Sequence, residues 1–425
     1  MSPRDHAPVR PSSPPPTVPF ATTVAVRAGI ATETQHGAVV PPIHLSSNYS
    51  FRGYGDKRPY DYTRTGNPTR DLLGEALAEL EGGAGAVVTS SGMSAVALAL
   101  HLIEPGGLLV APHDCYGGTH RLMSALAERG GFRLRFVDQT DDDALDAAFA
   151  EGPSMVWVET PSNPLLRITD LAGIAARARE AGALFVADNT FLSPVLQRPI
   201  EWGADLVLHS TTKYLNGHSD VVGGAVVARD EAVHAELAEW ANCLGLTGAP
   251  FDAYLTLRGL RTLDARMRVH LANADAVVSC LADHPAVERV YHPSLTDHPG
   301  HEVAARQQSG FGAMVSFELR SEAAVRAFVA ELGTFTLAES LGGVESLVAH
   351  PATMTHASMD ADARATAGIS DRLLRLSVGI EAAVDLVADL ERALGAARET
   401  DDLGAGSEAD AATATPTEVE VAAGV

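Results

Sequence analysis

The sequence predicts an α/β fold: a mostly parallel seven-stranded central sheet sandwiched by helices, followed by a smaller C-terminal α+β domain. Three observations carry that reading. Short, nearly uninterrupted apolar runs recur between residues 86 and 228, as strands buried on both faces require. Alanine-rich helical patterns fall between several of those runs, supplying the crossovers that parallel neighbours need. Beyond about Arg266 the alternation stops, and fewer strands mix with longer helices.

Taken in order, residues 1–19 contain seven prolines and no apolar periodicity, so they are expected as an unordered tail. Residues 20–75 read as an N-terminal arm and 76–265 as the large domain. The large domain's candidate strands are Ala86–Thr89, Leu108–Ala111, Arg133–Val137, Met155–Val158, Leu184–Ala187, Asp205–Leu208 and Gly224–Ala228. Its candidate helices are Gly92–Ile103, Arg121–Arg129, Asp141–Ala150 and Asp170–Ala181. A long helix, Ala265 to Asp283, leads into the smaller domain, residues 266–398. Strands at Ala313–Leu319 and Leu373–Ser377 and helices at Glu322–Glu331 and Ala382–Ala396 are expected there. Residues 399–425 hold seven acids and no base, and read as a second unordered tail.

Composition narrows the function. Acidic side chains outnumber basic ones 54 to 31, a formal charge of −23, which opposes nucleic-acid and anionic-membrane partners. No apolar run approaches the roughly 18 residues of a membrane span. The N-terminus offers Pro and Ser where a secretory signal needs a basic stretch and then a greasy one. Cys115, Cys243 and Cys280 are too scattered for a disulfide framework or a zinc knuckle. His113, His209 and His218 lack partners at metal-ligand spacing, so no metal is expected. The expected setting is the cytoplasm.

Among the 31 basic residues only Lys57 and Lys213 are lysines. Arginine is the default cation here, so a retained lysine raises the question of what a guanidinium could not do. Lys57 lies in the polar loop Arg52-Gly53-Tyr54-Gly55-Asp56-Lys57-Arg58-Pro59 and reads as a solvated charge. Lys213 follows three hydroxyls, Ser210-Thr211-Thr212, just past a strand.

In an open parallel sheet the ligand crevice lies beyond the carboxyl ends of the strands. Several of those ends are chemically loaded. The first strand runs into Ser90-Ser91-Gly92-Met93-Ser94 and then a helix, whose free N–H groups and dipole suit a phosphate, or simply a cap. No Gly-x-Gly-x-x-Gly follows it, so it is not a dinucleotide fingerprint. The fourth ends in Glu159-Thr160-Pro161-Ser162-Asn163-Pro164, the fifth in Asp188-Asn189-Thr190 and the sixth in His209-Ser210-Thr211-Thr212-Lys213-Tyr214. Asp188 either caps its loop or faces a cationic ring nitrogen. A primary amine for a Schiff base, a carboxylate for a pyridinium and hydroxyls with a helix N-terminus for phosphate together describe pyridoxal phosphate.

Asp188-Asn189-Thr190, Ser210-Thr211-Thr212-Lys213, Tyr62-Thr63-Arg64-Thr65-Gly66-Asn67-Pro68-Thr69 and Met354-Thr355-His356 resemble the cysteine/methionine-metabolism family of fold-type I pyridoxal phosphate enzymes. The resemblance spans Ala21 to Ala396 and includes Gly37–Ser47, His113–Gly118 and Leu337–Ser346. It implies the fold-type I PLP-transferase architecture and the following roles. Lys213 would hold pyridoxal 5'-phosphate and then move protons among substrate carbons. Asp188 would keep the ring nitrogen protonated, and Tyr116 would stack on the ring and act as acid or base. Gly92, Met93, Ser210 and Thr212 would bind the phosphate. Tyr62 and Arg64, on the N-terminal arm, would reach the phosphate of a neighbouring subunit, so a homodimer, within a homotetramer, is implied. Arg375, Ser340 and Asn163 would hold the amino acid α-carboxylate, Arg121 would meet a distal acyl group, and Glu339 and Asp61 would line the entrance. An outward-pointing surface arginine is the alternative for Arg375, and an ordinary loop acid for Glu339.

The activity the resemblance implies is γ-replacement: O-succinyl-L-homoserine, or another O-acyl ester, plus L-cysteine giving L-cystathionine and succinate, in methionine biosynthesis and trans-sulfuration. γ-Elimination of cystathionine to cysteine, 2-oxobutanoate and ammonia is the runner-up, and a specialised homoserine-ester synthase a further alternative. Gly118 stands where methionine γ-lyase relatives carry Cys, and Glu339 where β-lyase relatives carry an aromatic residue.

Overall fold

The computed structural model describes residues 20–357, 359 and 361–413. Seven strands, β1 (Gly85–Thr89), β2 (Leu108–Pro112), β3 (Arg133–Val137), β4 (Met155–Glu159), β5 (Leu184–Asp188), β6 (Leu206–His209) and β7 (Gly224–Ala228), build one sheet in the order β1-β7-β6-β5-β4-β2-β3. β7 runs antiparallel to both neighbours, and the remaining pairs are parallel. The carboxyl ends of β1, β2, β4, β5 and β6 therefore share one edge. The expected mostly parallel seven-stranded sheet is present, each strand within one residue of its predicted bounds.

Period-2 alternation explains the apolar runs, because successive residues feed two different cores. Leu109, Met155, Trp157, Val186, Leu206 and Leu208 pack with Ala95, Leu98 and Ala99 of the helix Gly92–Leu100. Val110, Val156, Val158, Phe185, Ala187 and Val207 pack on the opposite side with Leu73, Leu77 and Leu80 of the helix Pro68–Glu81. By the same alternation Glu159 and Asp188 face the Gly92–Leu100 side, whereas His209 faces the Pro68–Glu81 side and bonds Glu81 there. β3 departs from expectation: as an edge strand it exposes Arg133 and buries only Val137, so a single-sided environment replaces burial on both faces.

A second sheet contains β8 (Val287–Tyr291), β9 (Met314–Leu319), β10 (Thr336–Leu337), β11 (Leu347–Ala349) and β12 (Leu373–Ser377) in the order β10-β11-β12-β9-β8. All its pairs are antiparallel except β10 with β11. The helix Leu263–Ala282 lies across its beginning and contributes Met267, Ala274 and Val277 to the core.

Three expected boundaries fall inside helices. Position 75 lies within Pro68–Glu81, which Asn67 caps by accepting from the Thr69 and Arg70 N–H groups. Position 265 lies within Leu263–Ala282, and position 398 within the helix Ala383–Thr413. Residues 399–413, expected as the start of an unordered tail, continue that helix. The first tail, residues 1–19, and positions 414–425 lie outside the described residues. The helix expected from Arg121 begins at Gly117. Among the described residues no helix is long and apolar enough to cross a membrane, and no group of three or more His, Cys, Asp or Glu could hold a metal ion.

Candidate active site

Lys213 lies in the turn after β6, beside the strand end that carries Asp188. Its Nζ donates to Ser340 Oγ at 2.7 Å. Burial, helped by the Arg375 charge and opposed by Glu339, brings its pKa down to about 8 from an ordinary 10.5. A lysine tuned this way offers an unprotonated amine near neutral pH, as a carbonyl-binding nucleophile must. Lys57, by contrast, is half exposed and paired with Asp61 at 2.9 Å.

Asp188 closes β5 at the same sheet edge. Its Oδ1 accepts from the Thr190 N–H at 3.0 Å, which caps the turn. Its carboxyl also stands partly buried at the crevice, and burial raises its pKa against the opposing pull of Thr190 and His209. Glu159 ends the adjacent strand in register with Asp188 and is only 5% exposed. It accepts from the Tyr116 N–H at 2.9 Å and from the Asn163 backbone. Burial first, then the neighbouring Asp188 charge, lifts its carboxyl well above the usual range. Sequence reasoning gave Glu159 no role; its one signal was an acid closing an otherwise apolar strand.

Tyr116 sits at the N-cap of the helix Gly117–Glu128 without a side-chain cap, and its own N–H donates to Glu159, the bond a capping-box acid would accept. Its ring is 42% exposed and overlies Gly118, where a Cβ would come within 2.5 Å of the ring and 3.1 Å of Met93 Sδ. A side chain at 118 would require the Tyr116 ring to shift from this position. Arg121 lies one turn further along the same helix.

The helix Gly92–Leu100 aims its N-terminus at the same edge. Ser91 caps it by accepting from the Ser94 N–H at 3.0 Å, and Gly92 lets the Ser210 loop approach so closely that a Cβ would meet Ser210 Cβ at 2.8 Å. The Gly92 and Met93 amides and the Ser210 hydroxyl thus border one small cradle suited to an anion. The Thr212 hydroxyl instead bonds the Gly223 N–H at 3.0 Å and its carbonyl at 3.2 Å.

Arg375, on β12, is 2% exposed, which excludes the surface-arginine alternative. It donates to Asn163 Oδ1 at 2.8 Å and to the Ser340 carbonyl at 3.0 Å, while its Nε has no partner. Among the described residues no carboxylate pairs with it, and burial lowers its pKa to about 10. A buried cation with a spare N–H beside Lys213 is the donor set an incoming carboxylate would complete. Glu339 is exposed next to Ser340, and its charge reaches both Lys213 and Arg375. Asp61 is occupied by Lys57 and by the Tyr62 N–H at 2.7 Å. Tyr62 is 49% exposed; Arg64 lies over its ring at 5.6 Å and donates to Asn242 at 3.1 Å, so this pair turns to the surface within its own chain.

The residues therefore fit pyridoxal phosphate: a low-pKa amine, a partly buried carboxylate, an aromatic face and an anion cradle stand on one sheet edge. Comparison with known proteins agrees. Cystathionine gamma-synthase of Escherichia coli (strain K12) is 61% identical over 379 residues, covering 89% of this chain and 98% of the relative. Cystathionine beta-lyase of Lactococcus lactis subsp. cremoris (strain MG1363) is 47% identical over 372 residues, covering 88% and 98%. The crystal structure of cystathionine gamma synthase from Xanthomonas oryzae pv. oryzae in complex with aminoacrylate and cysteine superposes with a TM-score of 0.90 at 66% identity, covering 90% of this chain and 100% of that one. The sequence profile for Cys/Met metabolism PLP-dependent enzymes matches residues 22–395, and the chain belongs to that family.

Proposed function

We propose that this chain catalyses γ-replacement, joining L-cysteine to the Cγ of an O-acyl-L-homoserine, with succinyl as the acyl group, to give L-cystathionine and the free carboxylate. Bound pyridoxal phosphate supplies the electron sink that acidifies first the Cα–H and then the Cβ–H. The observation that carries the reading is the Lys213–Ser340–Arg375 cluster, in a chain 61% identical to a cystathionine gamma-synthase over 98% of that relative.

Each residue then has one task. Arg375, steadied by Asn163 and the Ser340 carbonyl, takes the α-carboxylate and fixes which face of Cα meets the amine. Lys213 would hold the cofactor, and its free amine would take the Cα proton and serve Cβ in turn. Ser340 Oγ holds Nζ on that side. Asp188 keeps the ring nitrogen protonated, and Tyr116 covers the ring and assists proton movement. Gly92, Met93 and Ser210 would anchor the phosphate, joined by Tyr62 and Arg64 of a second copy in a homodimer or homotetramer, and by Thr212 once its hydroxyl turns from the Gly223 carbonyl. Arg121, Glu339 and Asp61 flank the path of the acyl group and the thiol. The cell compartment is the cytoplasm, where methionine biosynthesis would use the product.

Incubation with O-succinyl-L-homoserine and L-cysteine should yield cystathionine and succinate, with cystathionine alone turning over more slowly. Rapid release of cysteine and 2-oxobutanoate from cystathionine, exceeding synthesis, would replace the synthase reading with the γ-lyase one. The O-acetyl and O-phospho esters, run in parallel, assign the acyl group. Hydride reduction of the native enzyme followed by peptide mapping should tag Lys213.

A further inference from the structure

Met354-Thr355-His356 belongs to the sequence signature yet has no task in the reaction above. His356 is fully buried, at 0% exposure. Its Nε2 lies 3.0 Å from the Asn163 carbonyl and its Nδ1 2.9 Å from Thr355 Oγ1. A carbonyl only accepts, so Nε2 carries the hydrogen, and Nδ1 accepts from the Thr355 hydroxyl. The ring stays neutral near pH 7: burial and then the Arg375 charge push its pKa down to about 4, against the weaker opposing pull of the bond to the Asn163 carbonyl and of Asp114.

The segment is wedged as well as bonded. The His356 N–H donates to the Pro351 carbonyl at 2.9 Å, and the Thr355 carbonyl sits only 3.0 Å from where a Cβ on Gly117 would stand. Thus the loop after β11 lies close against the first residue of the Tyr116 helix and bonds Asn163 by its main chain. Asn163 Oδ1 in turn accepts from Arg375 Nη1 at 2.8 Å.

We propose that His356 is a positioning residue for the α-carboxylate site: its Nε2–H fixes the Asn163 backbone so that Asn163 Oδ1 holds the Arg375 guanidinium in the plane that receives the substrate carboxylate. This rests on the reading that Arg375 takes that carboxylate. An imidazole present only as filler would be replaceable by any side chain of its volume. A positioning imidazole is replaceable only by a group that keeps the donor.

The test is calorimetric titration of the holoenzyme with L-alanine, which has a carboxylate but no leaving group, and with ethylamine, which has neither. His356→Met fills the space without the donor, and His356→Gln restores an N–H. In His356→Met, L-alanine should bind about tenfold more weakly while ethylamine is unchanged, as loss of one buried hydrogen bond would give. His356→Gln should recover most of that loss. Unchanged L-alanine affinity in His356→Met, an equal loss for ethylamine, or a Gln variant behaving like Met overturns the assignment. If His356→Met fails to fold, His356→Leu replaces it as the donor-free variant; L-alanine binding must then weaken selectively, and unchanged binding overturns the proposal. A wild-type enzyme that shows no preference for L-alanine over ethylamine would instead overturn the Arg375 reading beneath it.

Discussion

Ser340 Oγ accepts from Lys213 Nζ at 2.7 Å while the Ser340 carbonyl accepts from Arg375 Nη2 at 3.0 Å, and its backbone makes both bonds with φ at +90°. A non-glycine residue in that region is held against its own preference, and here the strain coincides with a double duty. Ser340→Ala keeps the strained backbone and loses the acceptor, so kcat/KM should fall about tenfold, the scale of one hydrogen bond. Ser340→Gly loses the same acceptor but relieves the backbone, and should resist denaturant better than Ser340→Ala by roughly 1 kcal/mol. Equal unfolding midpoints for the two variants would mean the conformation costs nothing.

Lys213 gives a pH prediction with a definite sign. In the folded, cofactor-free chain its pKa is about 8, whereas the unfolded chain keeps the proton to about 10.5. The unfolded form therefore binds more protons between those values, and the stability of the cofactor-free chain should rise with pH across that window. Capture of added pyridoxal phosphate by the stripped protein should accelerate with pH through a midpoint near 8. Glu339→Gln removes a charge that favours the ammonium and should lower the midpoint, while Arg375→Gln should raise it. Stopped-flow absorbance at several pH values checks all three. A midpoint near 10.5 would show that Lys213 is not desolvated.

The contrast between strands and loops explains what the sequence made legible. Strands such as Met155–Glu159 and Leu184–Asp188 announce themselves because both faces are buried, and their ends then expose Asp188 and Lys213 as chemistry out of place. The helix Pro68–Glu81 was hidden although Asn67 and Pro68 are ordinary start signals, because the segment around Tyr62 and Arg64 reads first as a loop motif. Glu159 and His356 escaped for another reason. Each acts through a backbone group, Tyr116 N–H or Asn163 carbonyl, and no spacing in the chain marks a side chain whose partner is a distant main chain. The buried Glu81–His209 pair, 2.6 Å apart and joined by Asn189 at 2.9 Å, links side chains more than 100 positions apart in the sequence and braces the turn behind Asp188.

Arg375→Lys separates charge from geometry. A lysine keeps the positive charge but cannot bond Asn163 Oδ1, the Ser340 carbonyl and a carboxylate in one plane. Charge-assisted hydrogen bonds contribute about 1.5–3 kcal/mol, so KM for the homoserine ester should rise about 10- to 150-fold with kcat much less affected. Steady-state kinetics decide it; a lysine variant with wild-type KM would show that charge alone suffices.

Asp188 and Glu159 stand side by side at the ends of β5 and β4, and only one of them suits a permanent charge. Two carboxylates so close in a buried place cannot both ionise cheaply. Glu159 is the more enclosed, its nearest donors are the backbone N–H groups of Tyr116 and Asn163, and the Asp188 charge pushes its proton affinity up. Asp188 opens onto the crevice and has the Thr190 N–H to steady its anion. Glu159→Gln should therefore be mild, keeping an acceptor for Tyr116 and leaving kcat within about threefold, under roughly 0.7 kcal/mol of barrier. Asp188→Asn should retain cofactor, seen in its absorbance, yet lower kcat by about 10²-fold or more, since an amide cannot hold the ring nitrogen protonated. If Glu159→Gln proves as damaging as Asp188→Asn, the charge is shared between the two carboxyls, and the ring nitrogen is governed by the pair.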